Sequence, residues 1–215
     1  MRLQLDPDDT EEAALQRHGL RLVAGIDEVG RGCLAGPVVA GAVILPAGWS
    51  WPGLRDSKML DAAERERLAA AIQAGAIAWA VAAVEASLID RINILQATLL
   101  ASMLAAARLP VRPDALITDS LHLPDIGLPQ RVLVDADRRC RSVAAASIVA
   151  KVYRDRLMVA YDLCYPGYGF AEHKGYAAPE HRAAIEQLGV TPIHRRTFGT
   201  CIDAPVAEQT ELWPA

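Results

Sequence analysis

Three short apolar runs in this chain each lead into an aspartate. Residues 20–29 read LRLVAGIDEV, ALIT precedes Asp119, and RVLV precedes the VDAD that holds Asp135 and Asp137. Apolar runs of this length read as buried strands. A carboxylate at the end of such a strand is costly to keep ionised without a counter-charge. Three repetitions of the pattern require a sheet whose strand ends deliver acids to one rim.

The rest of the chain supplies the partners of that sheet. Residues 38–45 (VVAGAVIL) form a second strand joined to the first by GRGCLAGP, so a hairpin opens the fold. Residues 61–73 have helical spacing with Asp61 as N-cap, and 76–84 is a further strand. In 87–108, Ile89, Ile92, Leu95, Leu99 and Met103 recur at intervals of three and four, which predicts one long amphipathic helix ending before Pro110. Helices follow over 143–164 and 179–188. Strands first, then helices alternating with short strands, give an α/β class: a mixed sheet flanked by helices. With 52% apolar content and 215 residues, a single domain over 1–200 is expected, with an acidic segment at 1–17, a small lobe at 164–200 and a flexible tail at 201–215.

The net charge of −4 is unevenly spread. Five acids face one arginine in residues 1–12, and three acids stand alone in 201–215, which leaves a body of net +3. Two bound divalent ions would raise that body to about +7, enough for a surface that tracks phosphates. The stretch 74–84 is too short to cross a bilayer, and the N-terminus lacks the basic start of a signal peptide. Cys33, Cys140, Cys164 and Cys201 form no C-x-x-C pair, which argues against zinc. A soluble, cytoplasmic monomer is expected.

Asp27, Glu28, Asp119 and Asp137 are the candidate metal ligands and catalytic acids. Oxygen ligands without cysteine or paired histidine select Mg²⁺ or Mn²⁺. Two such ions suit hydrolysis of a phosphodiester by an activated water. Adjacent strand residues face opposite ways, so bringing Asp27 and Glu28 to one cluster predicts that the strand ends or bulges there.

Gly30, Arg31 and Gly32 form either a tight turn or a loop whose N–H groups approach a sugar-phosphate. Ser147, Lys151 and Arg154 make one helical stripe, either a solvated face or a phosphate contact. Tyr176 in HKGY is either a satellite core residue or a ring that stacks on a sugar or base. The His194-Arg195-Arg196 run is assigned no chemistry.

Together GIDEVGRGCLAGPVV, DSKML, IDRINILQAT, VDAD with SVAAASIVAKVYRDR, and YPGYGFAEHKGY, in this order, resemble bacterial ribonuclease HII from about residue 23 to 198. The resemblance implies a ribonuclease H-like fold and endonucleolytic cutting of the RNA strand of RNA–DNA hybrids. It also implies incision at single ribonucleotides in duplex DNA, leaving 5′-phosphate and 3′-hydroxyl ends. It makes Asp27, Glu28, Asp119 and Asp137 the metal ligands, and Asp135 a neighbour. It assigns Gly30, Arg31 and Gly32 to the ribonucleotide 2′-hydroxyl and Tyr176 to the following deoxyribose. Lys58, Ser147, Lys151 and Arg154 fall near the nucleic-acid path.

Ser120 and Ala136 stand where the family commonly has glycine. Residues 209–213 (QTELW) look like the peptides that dock on a bacterial sliding clamp. Two rivals remain: a phosphatase using Asp135 and Asp137, which leaves Asp27 and Glu28 unexplained, and a hybrid-binding protein without catalysis.

Overall fold

The computed structural model describes residues 7–54 and 60–207. Its sheet has five strands: β1 (Val23–Val29), β2 (Val38–Ile44), β3 (Ala78–Val84), β4 (Ala115–Asp119) and β5 (Gln130–Leu133), in the order β3-β2-β1-β4-β5. β1 pairs antiparallel with β2 and parallel with β4, and β4 pairs parallel with β5. The sheet is mixed, as its alternation with helices predicts.

Among the described residues six α-helices accompany it: α1 (Thr10–Arg17), α2 (Ala62–Gly75), α3 (Ala86–Ala107), α4 (Arg141–Cys164), the short α5 (Phe170–His173) and α6 (Pro179–Leu188). Asp61 caps α2 as expected, its Oδ1 accepting from Glu64 N at 2.8 Å. α6 begins with proline in its first turn and ends at Gly189, φ +81°.

α3 departs from the expected single helix. Asn93 breaks it at φ 67°, ψ 166°, and its Oδ1 accepts from Gln96 N at 3.1 Å, so the asparagine caps a new helical segment. α3 has the length and apolar composition of a membrane span. Its fully buried Ala97, Ala101 and Ala105, one turn apart, turn one face of the helix into the core.

The chain divides into two compact units: the described residues of 1–29, 39–83 and 98–152, and those of 30–38, 84–97 and 153–215. In the first, Leu68, Ala69 and Ile72 of α2 pack with Val43 of β2 and with Ala144, Ala145, Ala146, Ile148 and Val149 of α4. The alanine run exists because α4 lies almost on the backbone of the sheet. A Cβ on Gly25 of β1 would overlap the Ser142–Val143 main chain, and one on Gly41 of β2 would overlap Ala146 O. Any side chain at those two positions would lift the helix.

The acidic N-terminal segment is tied into this unit. Glu12 is buried, and its Oε1 accepts from Ser142 N at 2.9 Å and Ser142 Oγ at 2.6 Å at the start of α4. Glu11 pairs with Arg131 at 2.7 Å and Arg139 at 3.1 Å. Burial, the main cause, raises the Glu12 pKa against these donors, and its Oε2 is buried with no hydrogen-bond partner among the described residues.

In the second unit Met158, Tyr168, Phe170, Ala184 and Ile193 form one cluster, and Leu34, Ile185, Val190 and Cys201 another.

Gly41→Ala places a methyl group against a helix that cannot move without losing its alanine contacts. It is expected to cost about 1–3 kcal/mol, read as a lower urea midpoint at unchanged m-value.

Candidate active site

Asp27 sits on the face of β1 that α4 covers. It shares that face with Gly25 and stands opposite Gly41 in the β1–β2 register. Because α4 lies so close, the Ser147 side chain hydrogen-bonds the Asp27 carboxylate. Ser147 is itself only 5% exposed, so it acts on Asp27 and not on solvent.

The strand does not break at the acids. β1 stays in register with β2 through Glu28↔Ala40 and Val29↔Val39, which overturns the expected bulge. Glu28 therefore leaves the strand opposite to Asp27. The chain turns only at Gly30, φ +90°.

Asp119 ends β4, the parallel neighbour of β1, one residue beyond the Ile26↔Thr118 pair. Its Oδ1 accepts from Ser120 Oγ at 3.1 Å and from Ala136 N at 3.2 Å. Ser120 adopts φ 57°, the left-handed conformation that glycine takes without strain, and so accounts for the family's usual residue there. Ala136 needs no such freedom, because it opens a 3-10 turn, Ala136–Arg138. The left-handed residue is Asp135, φ 54°, just before it.

That turn separates the two acids of VDAD. Asp135 is exposed, whereas Asp137 is 3% exposed and within electrostatic reach of Asp27. A phosphatase built on both has no such pair at hand.

The consequence appears at Asp27. Its carboxyl is pushed well above the ordinary aspartate range, first by burial and then by the negative charges of Glu28, Asp137 and Asp119, with the Ser147 hydrogen bond opposing them. Among the described residues no three histidine, cysteine or acidic side chains close on one point as a finished ligand set. What Glu28, Asp119 and Asp137 share is negative charge felt by Asp27, and the oxygen-only donors of the four acids fit a hard divalent cation.

The loop residues lie in the second unit. Gly30 is buried, with no room for a Cβ beside the Arg154 guanidinium, while Arg31 and Gly32 are exposed and Gly32 faces open space. Tyr176 is 41% exposed, its hydroxyl donates to the buried Cys33 sulfur, and the Arg154 guanidinium lies 5.8 Å from its ring centroid.

Arg154 corrects the stripe expected on α4. It has no exposed surface and donates to Ala35 O, Pro37 O and Lys174 O, so it holds main chain and does not reach a phosphate. Lys151 is partly exposed, and Lys58 lies outside the described residues.

Arg195, given no role from the sequence, is equally buried and donates to the carbonyls of Gly30, Arg31 and Gly36. Asp90 fixes the segment behind it, accepting from Arg196 N at 2.9 Å and Thr197 N at 3.1 Å. No local pattern in IHRRTF announces this.

A histidine relay supports Tyr176. Thr191 N donates to His194 Nδ1 at 2.9 Å, so His194 carries its proton on Nε2 and gives it to His181 Nε2 at 3.1 Å. His181 Nδ1 then donates to Tyr176 O at 2.8 Å. Both rings must be neutral.

Known proteins share this architecture. A ribonuclease H2 from Pyrococcus horikoshii superposes with a TM-score of 0.70 at 27% identity, covering 84% of this chain and 95% of that one. A ribonuclease HII from Archaeoglobus fulgidus, solved as a complex with PCNA, gives 0.69 at 27% identity, with coverage of 83% and 95%. Mixed sheet and strand-end acids thus define a nuclease of the ribonuclease H class.

Residues 24–201 match the Ribonuclease HII family. A ribonuclease HII from Chloroflexus aurantiacus is 53% identical over 203 residues, 92% of this chain and 96% of that protein. One from Thermus thermophilus is 51% identical over 195 residues, with coverage of 91% and 94%. The chain belongs to the ribonuclease HII family, endonucleases that hydrolyse RNA in RNA–DNA hybrids.

The relay generates a pH dependence. Burial first, and neighbouring rings second, push His181 down to about 4 and His194 down to about 3 from the usual 6.5. Below pH 6.5 the unfolded chain takes up protons that the folded one refuses, so stability falls with pH until the folded values are reached. The two histidines are expected to contribute a loss of stability between pH 6.5 and 4.5 in denaturation series, opposed by the raised carboxyls of Glu12 and Asp27. The His181→Asn/His194→Asn double variant should show a shallower slope over the same window.

Proposed function

We propose that this endonuclease cuts the RNA strand of hybrids and also incises at a single ribonucleotide within duplex DNA, leaving 5′-phosphate and 3′-hydroxyl ends. Residues 1–200 serve as its catalytic domain. The observation that carries the reading is Asp27, buried on the central strand, its pKa raised first by that burial and then by the charges of three other acids. A group in that position is incomplete without a cation.

Asp27, Glu28, Asp119 and Asp137 would hold two divalent ions, Mn²⁺ or Mg²⁺. When bound, these would acidify a water and stabilise the charge that develops on a cleaved phosphodiester. The chain's own contribution is orientation. Ser147 fixes the Asp27 carboxylate, Ser120 Oγ and Ala136 N fix that of Asp119, and the 3-10 turn carries Asp137 into the buried position that Asp135 lacks. The shared repulsion of the acids is the driving force for cation uptake.

Gly30, Arg31 and Gly32 would read the 2′-hydroxyl, by which a protein tells RNA from DNA. Tyr176 would pack on the next deoxyribose, and Lys58 and Lys151 would follow the phosphates. Residues 209–213, outside the described residues, would dock on a sliding clamp, in keeping with the PCNA complex of the archaeal relative. Deletion of 207–215 should then weaken clamp binding in a pull-down and leave cutting rates unchanged. Undiminished clamp affinity excludes the tail as the anchor.

Cutting is tested on a DNA duplex with one ribonucleotide, with and without Mg²⁺ or Mn²⁺. Incision is expected only with the ion. Asp27→Asn and Asp137→Asn should each lower kcat by about a hundredfold or more, which corresponds to about 2.7 kcal/mol of barrier, while Asp135→Asn stays near wild type. An inactive Asp135→Asn with an active Asp137→Asn would overturn the assignment, and no incision with either ion would overturn the reading.

A further inference from the structure

Arg154 and Arg195 are the two largest fully buried side chains, and every hydrogen bond they donate among the described residues ends on a main-chain carbonyl. Arg195 Nη2 donates to Gly30 O at 2.6 Å, its Nη1 to Arg31 O at 2.7 Å, and both Nε and Nη2 to Gly36 O at 3.1 and 3.0 Å. Arg154 donates to Ala35 O, Pro37 O and Lys174 O at 2.8–3.0 Å. Five of these six carbonyls belong to the loop 30–37, and the sixth, Lys174, belongs to HKGY.

Buried guanidinium groups are ordinarily neutralised by carboxylates. Here they are solvated by carbonyl oxygens, which satisfy donors and leave the charge. Asp90 attracts Arg195 only from a distance, its oxygens being taken by the N–H groups of Arg196 and Thr197 and by the Thr197 hydroxyl.

Peptide geometry then fixes the other side of the loop. Gly30 O belongs to the peptide whose N–H is that of Arg31, and Arg31 O to the peptide whose N–H is that of Gly32. In a trans peptide the N–H points opposite to the C=O. With both carbonyls turned onto Arg195, the N–H groups of Arg31 and Gly32 point away from it. Both residues are exposed, and nothing lies within 4 Å of a Cβ built on Gly32. Two adjacent N–H groups backed by buried positive charge make a surface complementary to an electronegative oxygen.

We propose that Arg195, seconded by Arg154, is a positioning residue for substrate recognition: by gripping the carbonyls of Gly30 and Arg31 it presents the Arg31 and Gly32 N–H groups, over buried positive charge, to a ribonucleotide's sugar-phosphate. This rests on the reading above that the 30–32 loop meets the ribose. Arg195 touches no substrate itself. Lysine at this position keeps the charge and loses the planar fork that holds separate carbonyls at once.

The test measures affinity, without divalent ions, for a duplex with one ribonucleotide and for the same duplex in DNA alone. Arg195→Lys is expected to lower the preference for the ribonucleotide by about tenfold or more while binding to all-DNA duplex changes little. A lower melting temperature with the preference intact would mean a purely structural arginine and would overturn the proposal.

Amide hydrogen exchange on the wild-type protein provides a second measurement that needs no variant. The Gly32 amide should exchange fast in the free protein and become protected only with the ribonucleotide-containing duplex. Slow exchange in the free protein would overturn the proposed orientation. Arg31→Ala together with Gly32→Val separates the two ideas. If this pair keeps the preference, the loop does not read ribose. If it loses the preference while Arg195→Lys keeps it, the loop stands and the role of Arg195 falls.

Discussion

The near-contact of α4 with the backbone of β1 and β2 is the constraint from which the first unit follows. It requires glycine at 25 and 41, and alanine at 144, 145 and 146. It also brings a helix side chain, Ser147, within hydrogen-bonding distance of a strand carboxylate, Asp27. A helix held farther from the sheet would leave a layer of side chains between them. Here that layer has been thinned, and the carboxylate is oriented from above as well as from its own strand.

The two units handle buried charge in opposite ways. In the first, Asp27 is buried, and its pKa is raised by that burial and by the charges of Glu28, Asp137 and Asp119. In the second, two arginines are buried and satisfied by main-chain oxygen, and their positive charge is left standing. Each arrangement lowers the stability of the empty fold and raises its affinity for something of the other sign, a cation in one case and a polyanion in the other. That pattern is expected of a protein that binds a metal and a nucleic acid.

Much of this was legible in the sequence, for physical reasons that also set the limits. Strands ending in acid, Asp61 before a helical run and proline at the head of α6 are local signals, and the elements formed where those signals lie. The break in α3 was hidden because an asparagine in a helical pattern reads as one more polar position, and only its backbone reveals a cap. The continuity of β1 through Glu28 was misread, since a rule about strand faces was allowed to dictate a bulge that the register does not contain. Arg154 and Arg195 could not be placed from sequence. Their partners lie 117 to 165 residues away along the chain, apart from Lys174, and are carbonyls, which every residue has. Asp137 was separated from Asp135 by resemblance, through its spacing to the alanine run of α4, and the left-handed backbone of Asp135 with the 3-10 turn that follows supplies the reason.

The bond from Glu12 to Ser142 has a consequence for how the chain is made. The two residues are 130 positions apart, so Glu12, synthesised well before α4, must wait for one of the last elements of its unit before its buried carboxylate acquires its donors. Until then the Ser142 N–H in the first turn of α4, the helix that aligns Ser147 with Asp27, lacks the carboxylate that accepts from it. Closure of that long loop completes both ends of the arrangement at once. The acidic N-terminal segment thus acts as a late latch, holding the unit closed only after the sheet and α4 have met.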